Sequence, residues 1–175
     1  MLGTYKTGNI EMFVNEDLEP DYGVVADYLG IDLKGKTIDD LSEAEFNEIF
    51  GSELVCYGFE IYDRENNKSY GKWSIPSEEL LVQELAEVLS EKFTLSTMDK
   101  LFADDLKYFK YQIMSAFNTD FRKLGYAPRI DYNKERFELY KNSEIVWHTD
   151  CEKISLWATF GSIKALLKQV EKEVA

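Results

Sequence analysis

The sequence contains few of the residues from which catalytic sites and disulfide frameworks are built. Its 175 residues include one histidine, His148, and two cysteines, Cys56 and Cys151. Two cysteines that lie 95 residues apart form neither a disulfide framework nor a zinc-ligand motif. We therefore expect two reduced thiols, as in a cytosolic protein, with a single Cys56–Cys151 disulfide as the alternative.

Long apolar runs and phosphate-binding glycine motifs are also absent. No run approaches the roughly 20 residues that span a bilayer, and residues 1–6 lack the apolar core of a signal peptide. The chain contains no Walker A or dinucleotide-binding motif, and no EF-hand loop. We expect a cytoplasmic protein that has no membrane contact, no cofactor and no metal.

Basic residues are scarce at one end of the chain. Residues 1–60, here called the acidic segment, hold three bases against fourteen acids, whereas the remaining 115 residues carry a net charge of only −2. The whole chain has a net charge of −13 and an isoelectric point near 4.6. Such a charge repels nucleic acid and anionic lipid, so we expect no direct binding to either.

Apolar residues make up 45% of the chain, enough for a core in one compact domain of residues 1–175. The apolar pattern predicts an N-terminal strand over 4–14 and hairpins over 54–75 and 137–149. Helices are predicted over 77–93 and 97–124, with shorter ones elsewhere, and residues 150–159 fit either a strand or a helix. The mixed order predicts an α+β fold, in which a small antiparallel sheet, the N-terminal strand plus two hairpins, packs against four to five helices.

Local signals define several element boundaries. Ser42 followed by Glu45 forms the capping box of a short helix, and Gly30 ends the helix before it. Gly58 and Gly71 lie within strands, where they indicate bulges or a close approach of backbone.

Candidate catalytic residues have simpler structural explanations. If residues 144–149 form a strand, His148 shares a face with Phe137 and Leu139 and is a core or rim residue. Cys56 lies in an apolar run and is expected to be a small buried hydrophobe, because an activated thiolate needs a basic setting. The sequence therefore predicts no catalytic residue and no enzyme.

The acidic segment has two interpretations. In the first, its carboxylates are a solvated surface that keeps the protein soluble. In the second, they steer and bind a basic partner, with Tyr22, Tyr28 and Phe50 as apolar anchors. The candidate partner-binding residues are Glu16, Asp17, Glu19, Asp21, Asp27, Asp32, Asp39, Asp40, Glu43, Glu45 and Glu48.

In size and charge the chain resembles the DNA-mimic inhibitors of restriction and CRISPR systems, although no motif carries the resemblance. Carboxylates along short helices can imitate the phosphates of a duplex. This resemblance implies a non-enzymatic inhibitor that sequesters a basic, nucleic-acid-binding protein. The alternatives are an immunity or regulatory protein that blocks a basic toxin enzyme, a phage structural or assembly protein, and a small metal-dependent enzyme.

Overall fold

The computed structural model describes residues Met1–Ala175, and it confirms the α+β class. The chain folds as two compact units, Met1–Leu81 and Val82–Ala175. The boundary lies within the first turn of a helix. The single-domain organisation predicted for residues 1–175 stays a prediction.

The first unit contains a four-stranded antiparallel sheet in the order β1-β2-β3-β4. Its strands are β1 (Gly3–Thr7), β2 (Ile10–Asp17), β3 (Cys56–Asp63) and β4 (Lys68–Ile75). Between β2 and β3 lies an inserted segment, residues 18–55, with helices α1 (Tyr22–Leu29) and α2 (Glu43–Phe50) and a 3-10 turn (Ile38–Asp40).

The inserted segment has its own small core. Buried side chains of α1, α2 and β3 form it, with partly buried apolar neighbours packed around them. Its buried members are Val25, Ala26, Ile49 and Cys56. This core attaches the two helices to the end of the sheet.

The second unit contains a three-stranded antiparallel sheet, β5-β6-β7, and most of the helices. The helix α3 (Glu78–Lys92) crosses the boundary between the units. The remaining elements are α4 (Thr97–Leu101), a 3-10 turn (Ala103–Asp105), α5 (Leu106–Ser115), α6 (Asn118–Lys123), β5 (Ala127–Asp131), β6 (Arg136–Lys141), β7 (Glu144–Asp150) and α7 (Leu156–Val174). No helix in the chain is both long enough and apolar enough to cross a membrane.

The structure corrects three details of the predicted fold. The predicted strand over 4–14 is a hairpin, because Gly8 adopts a positive φ and turns the chain. The hairpins belong to two sheets, and the predicted helix over 97–124 is divided among α4, α5 and α6. The ambiguous residues 150–159 contain the start of α7, which Ser155 caps by accepting the Ala158 N–H.

The predicted boundary signals are confirmed. Ser42 and Glu45 form both hydrogen bonds of the capping box, and Gly30 adopts the left-handed conformation after α1. Gly58 lies at a register shift between β3 and β4, where the Trp73 ring covers its Cα. A side chain at this position would overlap the ring.

We predict that Gly58→Ala destabilises the protein by about 1–3 kcal/mol, because the new methyl group forces the Trp73 ring from its position. Chemical denaturation of the full chain measures the change. Gly161→Ala is the control: Gly161 lies within α7 with open space where its Cβ would be, so alanine should stabilise by about 0.5–1 kcal/mol. Equal effects of the two substitutions would contradict the steric argument.

A buried lysine joins α5 to the loop that follows β7. Lys110 is 5% exposed, and its ammonium donates to the Glu152 carbonyl at 3.1 Å and lies 3.6 Å from a Glu135 carboxylate oxygen. Lys107 pairs with the same carboxylate at 3.2 Å, but from an exposed position. The two lysines therefore form a matched pair.

We predict that Lys110→Met lowers the free energy of unfolding by about 2 kcal/mol, because it removes a buried charged hydrogen bond and an ion pair that water does not replace. Lys107→Met should have a much smaller effect, because water solvates the exposed ammonium. Denaturation at neutral pH compares the two variants. A larger loss for Lys107→Met would overturn this assignment.

Candidate functional site

The negative charge of the protein is concentrated in the first unit. Residues 1–81 hold eighteen acids and six bases, a net charge of −12, whereas residues 82–175 hold fifteen acids and fourteen bases. The inserted segment alone holds ten acids and two bases. A site that binds a cationic partner through charge is therefore expected in the first unit.

Five of the eleven predicted partner-binding carboxylates form hydrogen bonds that hold the inserted segment together. Asp21 accepts the Val24 N–H as the cap of α1, and Asp32 accepts the Lys34 N–H. Asp40 accepts from the backbone N–H and the hydroxyl of Thr37, and this lowers the pKa of its carboxyl group. The five are Asp17, Asp21, Asp32, Asp40 and Glu45.

The other six candidates are exposed, and their carboxylates form no hydrogen bond or ion pair in the structure. They are Glu16, Glu19, Asp27, Asp39, Glu43 and Glu48. No cation lies within ion-pair distance of these carboxylates, so each contributes its full charge to the field that a partner would meet.

A cleft opens where the inserted segment leaves and rejoins the sheet. Asp17, the last residue of β2, is paired with Cys56, the first residue of β3, and the chain diverges beyond them. The cleft encloses about 560 Å³. Its lining residues are Glu16, Asp17, Leu18, Glu19, Pro20, Tyr22, Val25, Ile49, Phe50, Ser52, Leu54, Val55 and Cys56.

The cleft combines a buried apolar floor with an exposed rim. Val25, Ile49 and Cys56 are buried. On the rim, Leu18 is 85% exposed and Phe50 is 47% exposed. Exposed large apolar groups on a soluble protein, when they surround a concave surface, are typical of a binding site.

Aromatic stacking holds the Phe50 ring in place at the rim. Its ring centroid lies 6.4 Å from that of Tyr22 and 4.6 Å from that of Phe46. Of the three predicted apolar anchors, Tyr22 and Phe50 line the cleft, whereas Tyr28 is half exposed and does not line it. Of the predicted carboxylates, only Glu16, Asp17 and Glu19 line it.

Both cysteines are buried and free, and the predicted burial of Cys56 is confirmed. Burial raises the pKa of the Cys56 thiol, and the nearby Asp17 carboxylate raises it further. The thiol therefore stays protonated at neutral pH and contributes apolar surface to the cleft floor.

The predicted position of His148 is wrong. A register shift in the β6–β7 hairpin places His148 opposite Glu138, while Trp147 opposes Leu139. His148 is therefore exposed and does not share the face of Leu139. One extra residue in β7 moves each following side chain to the other face.

The acids next to His148 and Cys151 do not form a metal site. Asp150 is ion-paired with Arg136 at 2.6 Å. In the structure no group of three or more histidine, cysteine or acidic side chains lies close enough to hold a metal ion.

No protein-family model matches this chain, and comparison with curated proteins and with solved structures gives no significant match.

Glu45 couples the stability of the inserted segment to pH. A Lys36 ammonium at 2.8 Å, together with the backbone N–H and hydroxyl of Ser42, lowers the pKa of the Glu45 carboxyl group to about 2. The pKa of Glu45 is thus lower in the folded state than its value near 4.5 in the unfolded state. The ionised carboxylate therefore stabilises the fold fully at pH values above about 4.5. This stabilisation is lost as the pH falls towards about 2.

We predict that Glu45→Gln is less stable than the wild type at pH 7 and that the difference shrinks between about pH 4.5 and pH 2. Unfolding curves measured across this range test the prediction. Glu48→Gln, which removes an exposed carboxylate without a hydrogen bond, is the control and should follow the wild type. A Glu45→Gln deficit that persists unchanged to pH 2 would contradict the assigned role.

Proposed function

We propose that this protein is a non-enzymatic binding protein that inhibits or sequesters a basic, nucleic-acid-binding protein. The observation that carries the proposal is the set of six exposed, unpaired carboxylates in a unit of net charge −12. Such a set attracts a cationic surface and accelerates the encounter with it. The partner's basic groove would be occupied by carboxylates in place of phosphates, as in a DNA mimic of the anti-restriction or anti-CRISPR kind.

The apolar rim beside the carboxylates supports a binding role over a purely solubilising one. A solubilising surface needs charge but no apolar rim, whereas this unit exposes Leu18 and Phe50 beside its acids. Charge increases the rate of association, and desolvated apolar anchors supply most of the affinity. The two features together favour a protein partner.

The second candidate function is that of an immunity or regulatory protein that blocks a basic toxin enzyme. The same carboxylates and the same rim favour it, because they would also attract the cationic surface of a basic enzyme whose groove does not hold nucleic acid. The two functions differ in the normal occupant of the blocked groove. The free thiols of Cys56 and Cys151 are consistent with action in the cytoplasm in either case.

We predict that replacing Glu19, Asp27 and Glu48 with lysine abolishes capture of the partner. These carboxylates accept no hydrogen bond, and Asp27 and Glu48 lie towards the C-termini of α1 and α2, where lysine suits the helix dipole. The variant should therefore stay folded. Affinity capture from nuclease-treated bacterial lysate, at low and at high salt, measures the effect.

The control variant replaces Glu91, Glu144 and Glu171 of the second unit with lysine. It changes the net charge by the same amount, so a general loss of charge would weaken capture equally in both variants. The proposal requires a basic nucleic-acid-binding protein that the wild type and the control retain at low salt and that the first variant loses. Retention by all three proteins would overturn it.

A further inference from the structure

The cleft of the first unit has features that the carboxylates alone do not explain. Its floor is apolar and buried, its rim holds Leu18 and Phe50, and Glu16 and Glu19 lie on either side of Leu18 in the sequence. Its volume of about 560 Å³ is within the range of about 300–1,000 Å³ that is typical of ligand pockets. Several side chains of a partner can enter a space of this size.

Hydrogen bonds make the acidic wall of the cleft rigid before any partner binds. The backbone N–H and hydroxyl of Ser74 donate to Asp17 at 2.8 and 3.1 Å, and the Ser74 hydroxyl oxygen accepts the Asp21 N–H at 2.9 Å. The Glu19 N–H also donates to the Asp17 carboxylate. The backbone at Leu18 is therefore held in a hydrogen-bonded turn, so little backbone conformational entropy is lost when its side chain is covered.

The opposite wall is rigid as well. The Phe50 ring packs against those of Tyr22 and Phe46, and the Ser52 hydroxyl donates to the Ile49 carbonyl at 3.0 Å just beyond α2. Both walls are thus preformed, which favours binding of an extended segment without rearrangement of the cleft.

We infer that the cleft binds a short basic segment of the partner protein, with one or two of its apolar side chains against the floor and flanking lysine or arginine residues beside Glu16 and Glu19. This inference rests on the proposed function and names the part of the partner that is recognised. Charge complementarity selects this occupant: a second copy of this chain would bring another unit of net charge −12 against the same acids. An uncharged apolar segment would leave the acidic rim unpaired.

The test uses two fluorescently labelled synthetic peptides of equal length and charge. One carries Leu-Phe-Leu between two Lys-Ser-Lys flanks, and the other carries Ser-Gly-Ser between the same flanks. Fluorescence anisotropy with the full-length protein should show that the apolar peptide binds at least about tenfold more tightly, because only it covers the cleft floor. Equal affinity of the two peptides, or binding of neither, would overturn the inference.

Leu18→Ser and Leu95→Ser form a matched pair of variants. Leu18 lies on the cleft rim, whereas Leu95 lies in an exposed turn of the second unit and is 52% exposed. Leu18→Ser should remove most of the preference for the apolar peptide, and Leu95→Ser should leave it unchanged. Equal behaviour of the two variants would place the binding site elsewhere.

Methyl NMR spectra locate the bound peptide independently. Signals of Val25, Ile49 and Val55 should shift on addition of the apolar peptide, while those of Ile163 and Leu166 in the second unit should not.

If the lysine variant of the first unit loses its lysate partner but Leu18→Ser has no effect on the peptides, the proposed function stands and the cleft assignment fails. If the lysine variant keeps the partner, the proposed function fails whatever the peptides show.

Discussion

The geometry of the first unit depends on one hydrogen-bonded junction between strands that are not neighbours. Asp17 at the end of β2 accepts two hydrogen bonds from Ser74 of β4, and Ser74 in turn accepts the N–H of Asp21, the cap of α1. Ser74 has a φ of +58°, a conformation that serine rarely adopts and that these bonds stabilise. The junction determines where the inserted segment leaves the sheet, and so it positions both α1 and the acidic wall of the cleft.

The same chemical group performs two tasks in this unit. Carboxylates such as Asp21 and Glu45 satisfy backbone N–H groups at turns and helix starts, where an acid is also favoured by the helix dipole. Their hydrogen bonds offset part of the repulsion within a unit of net charge −12. Carboxylates such as Asp27 and Glu48 form no such hydrogen bonds and are exposed to water. A count of acids in the sequence therefore does not separate those that hold the fold together from those that form no hydrogen bond.

Local features of the fold could be predicted from the sequence, and features that depend on register or on distant residues could not. The capping box of Ser42 and Glu45 depends on residues three apart, so its pattern is visible in the sequence. The predicted face of His148 is wrong because β7 contains one extra residue, and the alternation of apolar residues in the sequence does not show such a bulge. The cleft joins residues 16–20 to residues 50–56, and only the pairing of Asp17 with Cys56 brings these together. The sequence places Leu18 among acids, but nothing local indicates that this leucine lies beside a cleft.

An acidic surface by itself discriminates poorly among partners, because any cationic protein is attracted to it. Salt also weakens all such contacts to a similar extent. Specificity needs a feature that is unfavourable for the wrong partner. The apolar floor at Val25 and Ile49 supplies it: a lysine or arginine placed there would lose water without gaining a hydrogen bond. A partner of the proposed kind would therefore have to present apolar side chains at the cleft and cations around it. This double requirement is what distinguishes a binding site from a solvated acidic surface.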